Sequence, residues 1–89
     1  MTLKWKEPEN NGAAITKYSI YQRIVNDEQW TKVEVINDIS KREIVVRVEK
    51  GKQYEFVVTA TNKNGESLKN KDRIETVDVN EGTLLKMRM

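Results

Sequence analysis

The sequence predicts an all-β domain, a two-layer antiparallel β-sandwich, and three observations support this fold class. The chain has 89 residues, which is enough for one hydrophobic core between two layers. Its apolar residues fall in short runs rich in β-branched and aromatic side chains, and several runs alternate with polar residues as half-buried strands do. Turn residues separate the runs, and β-branched residues crowd every window long enough for a helix.

The turns mark where the strands end. Pro8 and Gly12 lie in the first turn, Gly51 lies in the second, and Asn64-Gly65 lies in the third. Glycine, and to a lesser degree asparagine, adopts the positive φ angles of tight turns at little steric cost. Breaks are therefore predicted at residues 7–12, 49–52 and 62–65.

Between these breaks, the residues have the composition of strands. The first run alternates so that Leu3 and Trp5 share one face, and the fifth run is the longest and the richest in β-formers. Short polar turns between strands of this kind are typical of sandwiches and small barrels. The predicted strands are residues 2–6, 15–24, 30–35, 43–48, 54–61 and 74–79.

The fourth run is compatible with two registers. Counting back from Tyr54 turns Val45 and Val48 toward the core. Plain alternation instead turns Ile44, Val46 and Val48 toward the core. The sequence leaves this choice open.

The chain is expected to form one domain at residues 1–79, followed by a linker or C-terminal tail at residues 80–89. The final ten residues break the strand pattern. No run approaches the ~18 apolar residues of a membrane span, and no signal peptide is recognised, so we expect no direct membrane contact.

Five motifs, in matching order and spacing from residue 3 to about residue 79, resemble the fibronectin type III family. The first looks like the family's strand B, with its central tryptophan, and the second like the turn into strand C. The third is similar to strand C′, the fourth to the corner before strand F, and the fifth to strand F with its closing turn. They are Leu3-Lys4-Trp5 with Pro8; Gly12, Ile15, Tyr18 and Ile20; Trp30-Thr31-Lys32-Val33; Val48 to Tyr54 through Gly51; and residues 55–62 closed by Asn64-Gly65-Glu66-Ser67.

The resemblance implies an immunoglobulin-like antiparallel β-sandwich of the fibronectin type III type, with strands B to G present and strand A missing. Large aromatic side chains should fill the gap of about 10 Å between the sheets. A buried Tyr54 needs a partner for its hydroxyl, and a corner tyrosine finds it in the backbone just upstream. The expected core residues are Trp5, Tyr18, Ile20, Val48, Tyr54, Phe56, Val58 and Ala60.

Without strand A, residues 2–6 should present an unpaired backbone edge. Such an edge is a template for pairing with another chain. We therefore expect edge-strand self-association at these residues.

The residue types needed for catalysis are scarce. The chain has no histidine and no cysteine, so the usual general base, the thiol nucleophile and the commonest zinc ligands are missing. Ser19, Ser40 and Ser67 lie in no nucleophile-elbow motif, and there is no phosphate-binding or calcium-binding loop. We expect no enzyme activity, no cofactor and no metal; a net charge of +2, spread among acids, also predicts no nucleic-acid partner.

Two surfaces are candidates for protein binding. The loops at residues 7–14 and 62–72 should cluster at one pole, and the second loop is basic enough to meet an acidic partner, although such loops are more often solvated connections. Tyr21 and Trp30, expected to be exposed, either form a partner patch or stabilise their own sheet as cross-strand pairs. The basic candidates are Lys63, Lys69, Lys71 and Arg73.

These features favour a spacer and protein-interaction module that contacts a protein partner or neighbouring modules of its own chain. The first hypothesis is a repeat unit of an adhesion or receptor protein, located outside the cell. The second is an intracellular scaffold module of a giant muscle-type protein, located in the cytoplasm. The third is an accessory spacer in a secreted enzyme.

Overall fold

A computed structural model describes residues 1–6, 14–67, 74–78 and 84–86, and the regular elements in these ranges are all strands. No helix in these ranges is long and apolar enough to cross a membrane. The strands are β1 (Thr2–Lys4), β2 (Lys17–Ile24), β3 (Thr31–Ile36), β4 (Glu43–Val45), β5 (Gln53–Asn62), β6 (Gly65–Glu66), β7 (Glu75–Asp78) and β8 (Leu84–Lys86).

The strands form two sheets. One is three-stranded in the order β4-β1-β8, and the other is five-stranded in the order β3-β2-β5-β6, with β7 also paired to β5. The pairs are antiparallel except for β1 with β8, which run parallel. This arrangement confirms the predicted all-β fold of antiparallel sheets.

The pairing of β2 with β5 is the centre of the larger sheet. Its register runs without a shift from Lys17 opposite Thr61 to Ile24 opposite Tyr54. Because successive strand residues point to opposite faces, this register puts Ile20 and Val58 side by side on the core face.

The core lies between the two sheets. Trp5 from the smaller sheet packs edge-on against Tyr18 of β2, with ring centroids 5.5 Å apart, and Tyr54 stacks on Phe56 at 6.0 Å. Val48 and Ala60, also expected in the core, are half-buried and pack against it. The buried cluster comprises Leu3, Trp5, Ile15, Tyr18, Ile20, Ile36, Val46, Tyr54, Phe56 and Val58.

The register of the fourth run follows plain alternation. Val46 is buried, Ile44 is half-buried and packs on the core, and Val45 is 75% exposed. The backbone hydrogen bonds explain this, because Val46 and Met1 exchange N–H···O bonds of 2.8 and 3.2 Å and so continue the ladder between β4 and β1. Alternation therefore persists through Val46, and the register that turns Val45 inward is wrong.

The corner before β5 is closed by the Tyr54 hydroxyl. This oxygen accepts a 3.0 Å hydrogen bond from the backbone N–H of Glu49, five residues upstream. Gly51 lies between them with φ of 87°, a conformation that side chains with a Cβ rarely adopt. The hydroxyl thus bonds the upstream backbone, as the buried tyrosine requires.

The predicted free edge at residues 2–6 is absent. β1 is the middle strand of its sheet, paired antiparallel with β4 and parallel with β8. The expectation of self-association through β1 is therefore wrong, because a strand from residues 84–86 lies beside it. That strand also lies inside the segment for which a linker or tail is predicted, whereas the domain boundary itself stays a prediction.

Candidate protein-binding surface

The five-stranded sheet has one face turned away from the core, called here the outer face. Its central residues come from facing positions of β2 and β5, with Ser19 opposite Thr59 and Tyr21 opposite Val57. Although they point away from the core, Val57 is 0% exposed, and Ser19 and Thr59 are also buried. The centre of the outer face is therefore covered by neighbouring side chains.

Tyr21 lies under that cover. It is only 7% exposed, and its hydroxyl donates a 2.5 Å hydrogen bond to Oε2 of Glu66 on β6. Thr59 donates to the same oxygen at 2.5 Å, and the Lys32 ammonium lies 5.6 Å from the Tyr21 ring centroid. The expectation that Tyr21 is exposed is wrong, because the carboxylate and the ammonium occupy the space above its ring and hydroxyl.

Trp30 lies at the other end of the outer face, just before β3. Its side chain is half-buried, and the Arg23 guanidinium lies 4.2 Å above its ring. Nε of Arg23 also donates to Oε1 of Glu55 at 3.0 Å. A guanidinium is planar and weakly hydrated, so it stacks on an indole while bonding a carboxylate. The three side chains form a stack that holds Trp30 in one orientation.

Lys63 lies at the tip of the hairpin between β5 and β6. The hairpin pairs Asn62 with Gly65, and Oδ1 of Asn62 accepts a 2.8 Å bond from the Asn64 N–H. Gly65 has φ of 123°, which glycine adopts without steric cost. Lys63 is exposed, and the bonds of Glu66 to Tyr21 and Thr59 fix the strand that follows it.

The structure thus joins only some of the residues proposed from the sequence. Lys69, Lys71 and Arg73 lie outside the described residues, as do residues 7–13 of the first loop. The sequence analysis missed Arg23, Lys32, Glu55 and Glu66, which contact Trp30 or Tyr21 in the fold. Arg23 and Glu55 are 32 positions apart, so only the β2–β5 register brings them together.

A second concave surface opens beside the core. This groove has a volume of about 600 Å³, and its lining includes Met1, Gln22, Val48 and Tyr54. Oε1 of Gln22 is buried and accepts no hydrogen bond from the described residues. The groove is a largely apolar trough with one amide oxygen. Within the described ranges, no group of three acidic side chains is placed to hold a metal ion.

Tyr21 gives the outer face a pH dependence. Burial of the phenol, then its hydrogen bond to Glu66 and the charge of that carboxylate, raise the pKa of Tyr21 above its ordinary value of 10.0. The folded protein therefore keeps this proton when the unfolded chain loses it. The stabilisation is complete below the unfolded pKa and is lost as the pH rises through it toward the folded pKa.

We expect the free energy of unfolding, measured by urea titration, to fall between about pH 9 and about pH 11. The Tyr21→Phe variant, compared over the same range, should show a shallower fall because it lacks the group. Identical slopes for the two proteins would contradict the assignment.

Comparison with known proteins agrees with this architecture. The family model described as the fibronectin type III domain matches residues 1–77. The chain is 30% identical over 69 residues to the cell adhesion molecule Dscam1 of Drosophila melanogaster, covering 78% of this chain and 3% of that protein. It is also similar to the solved twitchin kinase region from C. elegans, with a TM-score of 0.62 and 26% identity, covering 81% of this chain and 12% of that one. The chain thus spans a small part of each relative.

Proposed function

Because the chain belongs to the fibronectin type III family, we propose that it is a non-catalytic module of a multidomain adhesion or receptor protein. In that setting it spaces its neighbours and binds a protein partner. The likeness to Dscam1 supports this role, since most of this chain matches a small part of a much longer cell adhesion molecule. We place the module outside the cell on the same ground.

The proposed binding surface is the rim of the outer face, from Trp30 and Arg23 to the hairpin tip at Lys63. Tryptophan and arginine are enriched among residues that dominate binding energy at protein interfaces. Here the Arg23 stack and the Glu66 bonds already order the surface, so binding loses little side-chain entropy. With Lys63 exposed and the basic residues 69, 71 and 73 following it in sequence, the surface suits an acidic partner.

The partner surface can be tested by quantitative capture from solubilised cell-surface proteins. The variants are Trp30→Ala and the triple change of Lys63, Lys69 and Lys71 to Glu, each expected to reduce capture by about tenfold. The matched control changes Lys6, Lys41 and Lys50 to Glu, which alters the net charge equally away from the outer face. Capture unchanged in both test variants would dismiss the surface.

An intracellular scaffold module of a giant muscle-type protein is the second candidate. The likeness to the twitchin kinase region favours it, at 26% identity over 81% of this chain. The two candidates predict different neighbours along the full-length protein. A signal peptide and a membrane span support the first, whereas an adjoining kinase with immunoglobulin modules supports the second and a cytoplasmic location.

A further inference from the structure

The unpaired strand edge of the smaller sheet is at β4. On its inner side, Arg42 accepts a 3.1 Å bond from the Trp5 N–H, and Val46 exchanges bonds with Met1. Because backbone groups alternate sides along a strand, those of Glu43 and Val45 point the other way. No strand in the described part of the chain lies on that side, so β4 offers a template for a further strand.

The outer edge of the larger sheet is protected in a way that β4 is not. At the β3 edge, the carboxylate of Glu34 accepts a 3.0 Å hydrogen bond from the N–H of Val35. The register between β2 and β3 also shifts at Ile20 and Tyr21, which leaves Val33 as an extra residue on β3. Bulges and charged side chains at an edge discourage strand addition.

The side chains of β4 that face solvent form a short self-complementary pattern. Val45 is 75% exposed, and the exposed Glu43 and Arg47 flank it at two positions on either side. Glu43 also lies 3.7 Å from the ammonium of Lys4 on β1. A negative charge, an apolar side chain and a positive charge therefore follow one another along the same face.

We propose that β4 pairs antiparallel with β4 of a second copy of this chain, about a two-fold axis at Val45. In this register the two Val45 side chains meet, and each Glu43 lies opposite Arg47 of the other copy. The pairing joins the three-stranded sheets of both copies into one continuous sheet. Cross-strand pairs of opposite charge and of β-branched side chains stabilise such a ladder.

The neighbouring registers are disfavoured by charge. A slip in one direction places Arg47 opposite Lys41, and a slip in the other places Glu43 opposite Glu49. Like charges directly opposite each other destabilise a strand pair. The charge pattern therefore selects the register centred on Val45. This inference rests on β4 alone and is independent of the outer face.

The test is sedimentation equilibrium of the 89-residue chain from about 1 µM to about 1 mM, with a concentration-dependent dimer expected. Val45→Lys places two ammonium groups at the axis and should raise the dimer Kd at least about tenfold. Because Val45 is exposed, this variant should keep its melting temperature, which circular dichroism checks. A chain that stays monomeric throughout the range overturns the proposal, as does a dimer that Val45→Lys leaves unchanged.

Charge exchange tests the register. Glu43→Arg and Arg47→Glu should each raise the Kd, and the two changes together should bring it back to within about threefold of the original. Glu28→Lys, in the exposed connection between β2 and β3, is the control for net charge. A double variant no tighter than the singles contradicts this pairing. Failure here leaves the outer-face capture experiment, and the function it tests, unaffected.

Discussion

Replacing Trp5 with alanine is expected to lower the free energy of unfolding by about 3–5 kcal/mol. The indole is 5% exposed and packs edge-on against Tyr18, at the junction between the two sheets. Its removal leaves a cavity that the strands on both sides fill only in part. Because small domains are stable by only about 5–15 kcal/mol, the loss is a large fraction of the total.

Urea unfolding followed by far-ultraviolet circular dichroism measures this effect. Fluorescence is less suitable because the variant removes one of only two tryptophans. Trp5→Phe, which keeps an aromatic ring in the same site, should recover part of the loss. Val45→Ala, at an exposed position, should change stability by less than about 0.5 kcal/mol. An unaltered urea midpoint for Trp5→Ala refutes the central placement of the indole.

Substitution of Tyr54 separates the ring from the hydroxyl. Tyr54→Ala removes a buried ring stacked on Phe56 at 6.0 Å, and we expect a loss of about 3–5 kcal/mol. Tyr54→Phe keeps the ring but removes the acceptor of the Glu49 N–H, which lies 3.0 Å from the hydroxyl. The expected loss for this variant is about 1 kcal/mol, the net worth of one hydrogen bond.

The same urea titrations distinguish the two contributions. Amide hydrogen exchange at Glu49 gives a local readout, and it should accelerate in Tyr54→Phe because the N–H has lost its partner. If Tyr54→Phe matches the original protein in both stability and exchange at Glu49, the corner hydrogen bond has no stabilising role. If Tyr54→Ala is tolerated, the stack on Phe56 does not support the core.

Side-chain alternation predicted much of the core. In β5, Phe56 and Val58 face the other sheet, and Val57 and Thr59 face away, as a period of two requires. Alternation likewise decides in favour of Val46 over Val45 on the fourth run. Such inferences succeed because the pleat of a strand depends on the backbone alone, and hydrophobic side chains mark which side is buried.

Pairing between distant residues was beyond the reach of the sequence. Glu66 lies 45 positions from Tyr21, and no local pattern marks it as the acceptor for that hydroxyl. The burial of Val57 and Thr59 on the outer face has the same origin, since it depends on side chains brought from other strands. A rule that only apolar faces are buried therefore misplaced Tyr21 at the surface.

The edge strands provide the clearest division between the two levels. The sequence by itself determined that the chain is a β-sandwich, which runs become its main strands, and which aromatic side chains fill the core, because these follow from residue type and period. Only the tertiary structure decided that β8 lies along β1 and that β4 is left as the open edge. Strand neighbours are chosen by long-range hydrogen bonding between backbones, and backbone groups are nearly the same at every residue, so the sequence does not encode that choice locally.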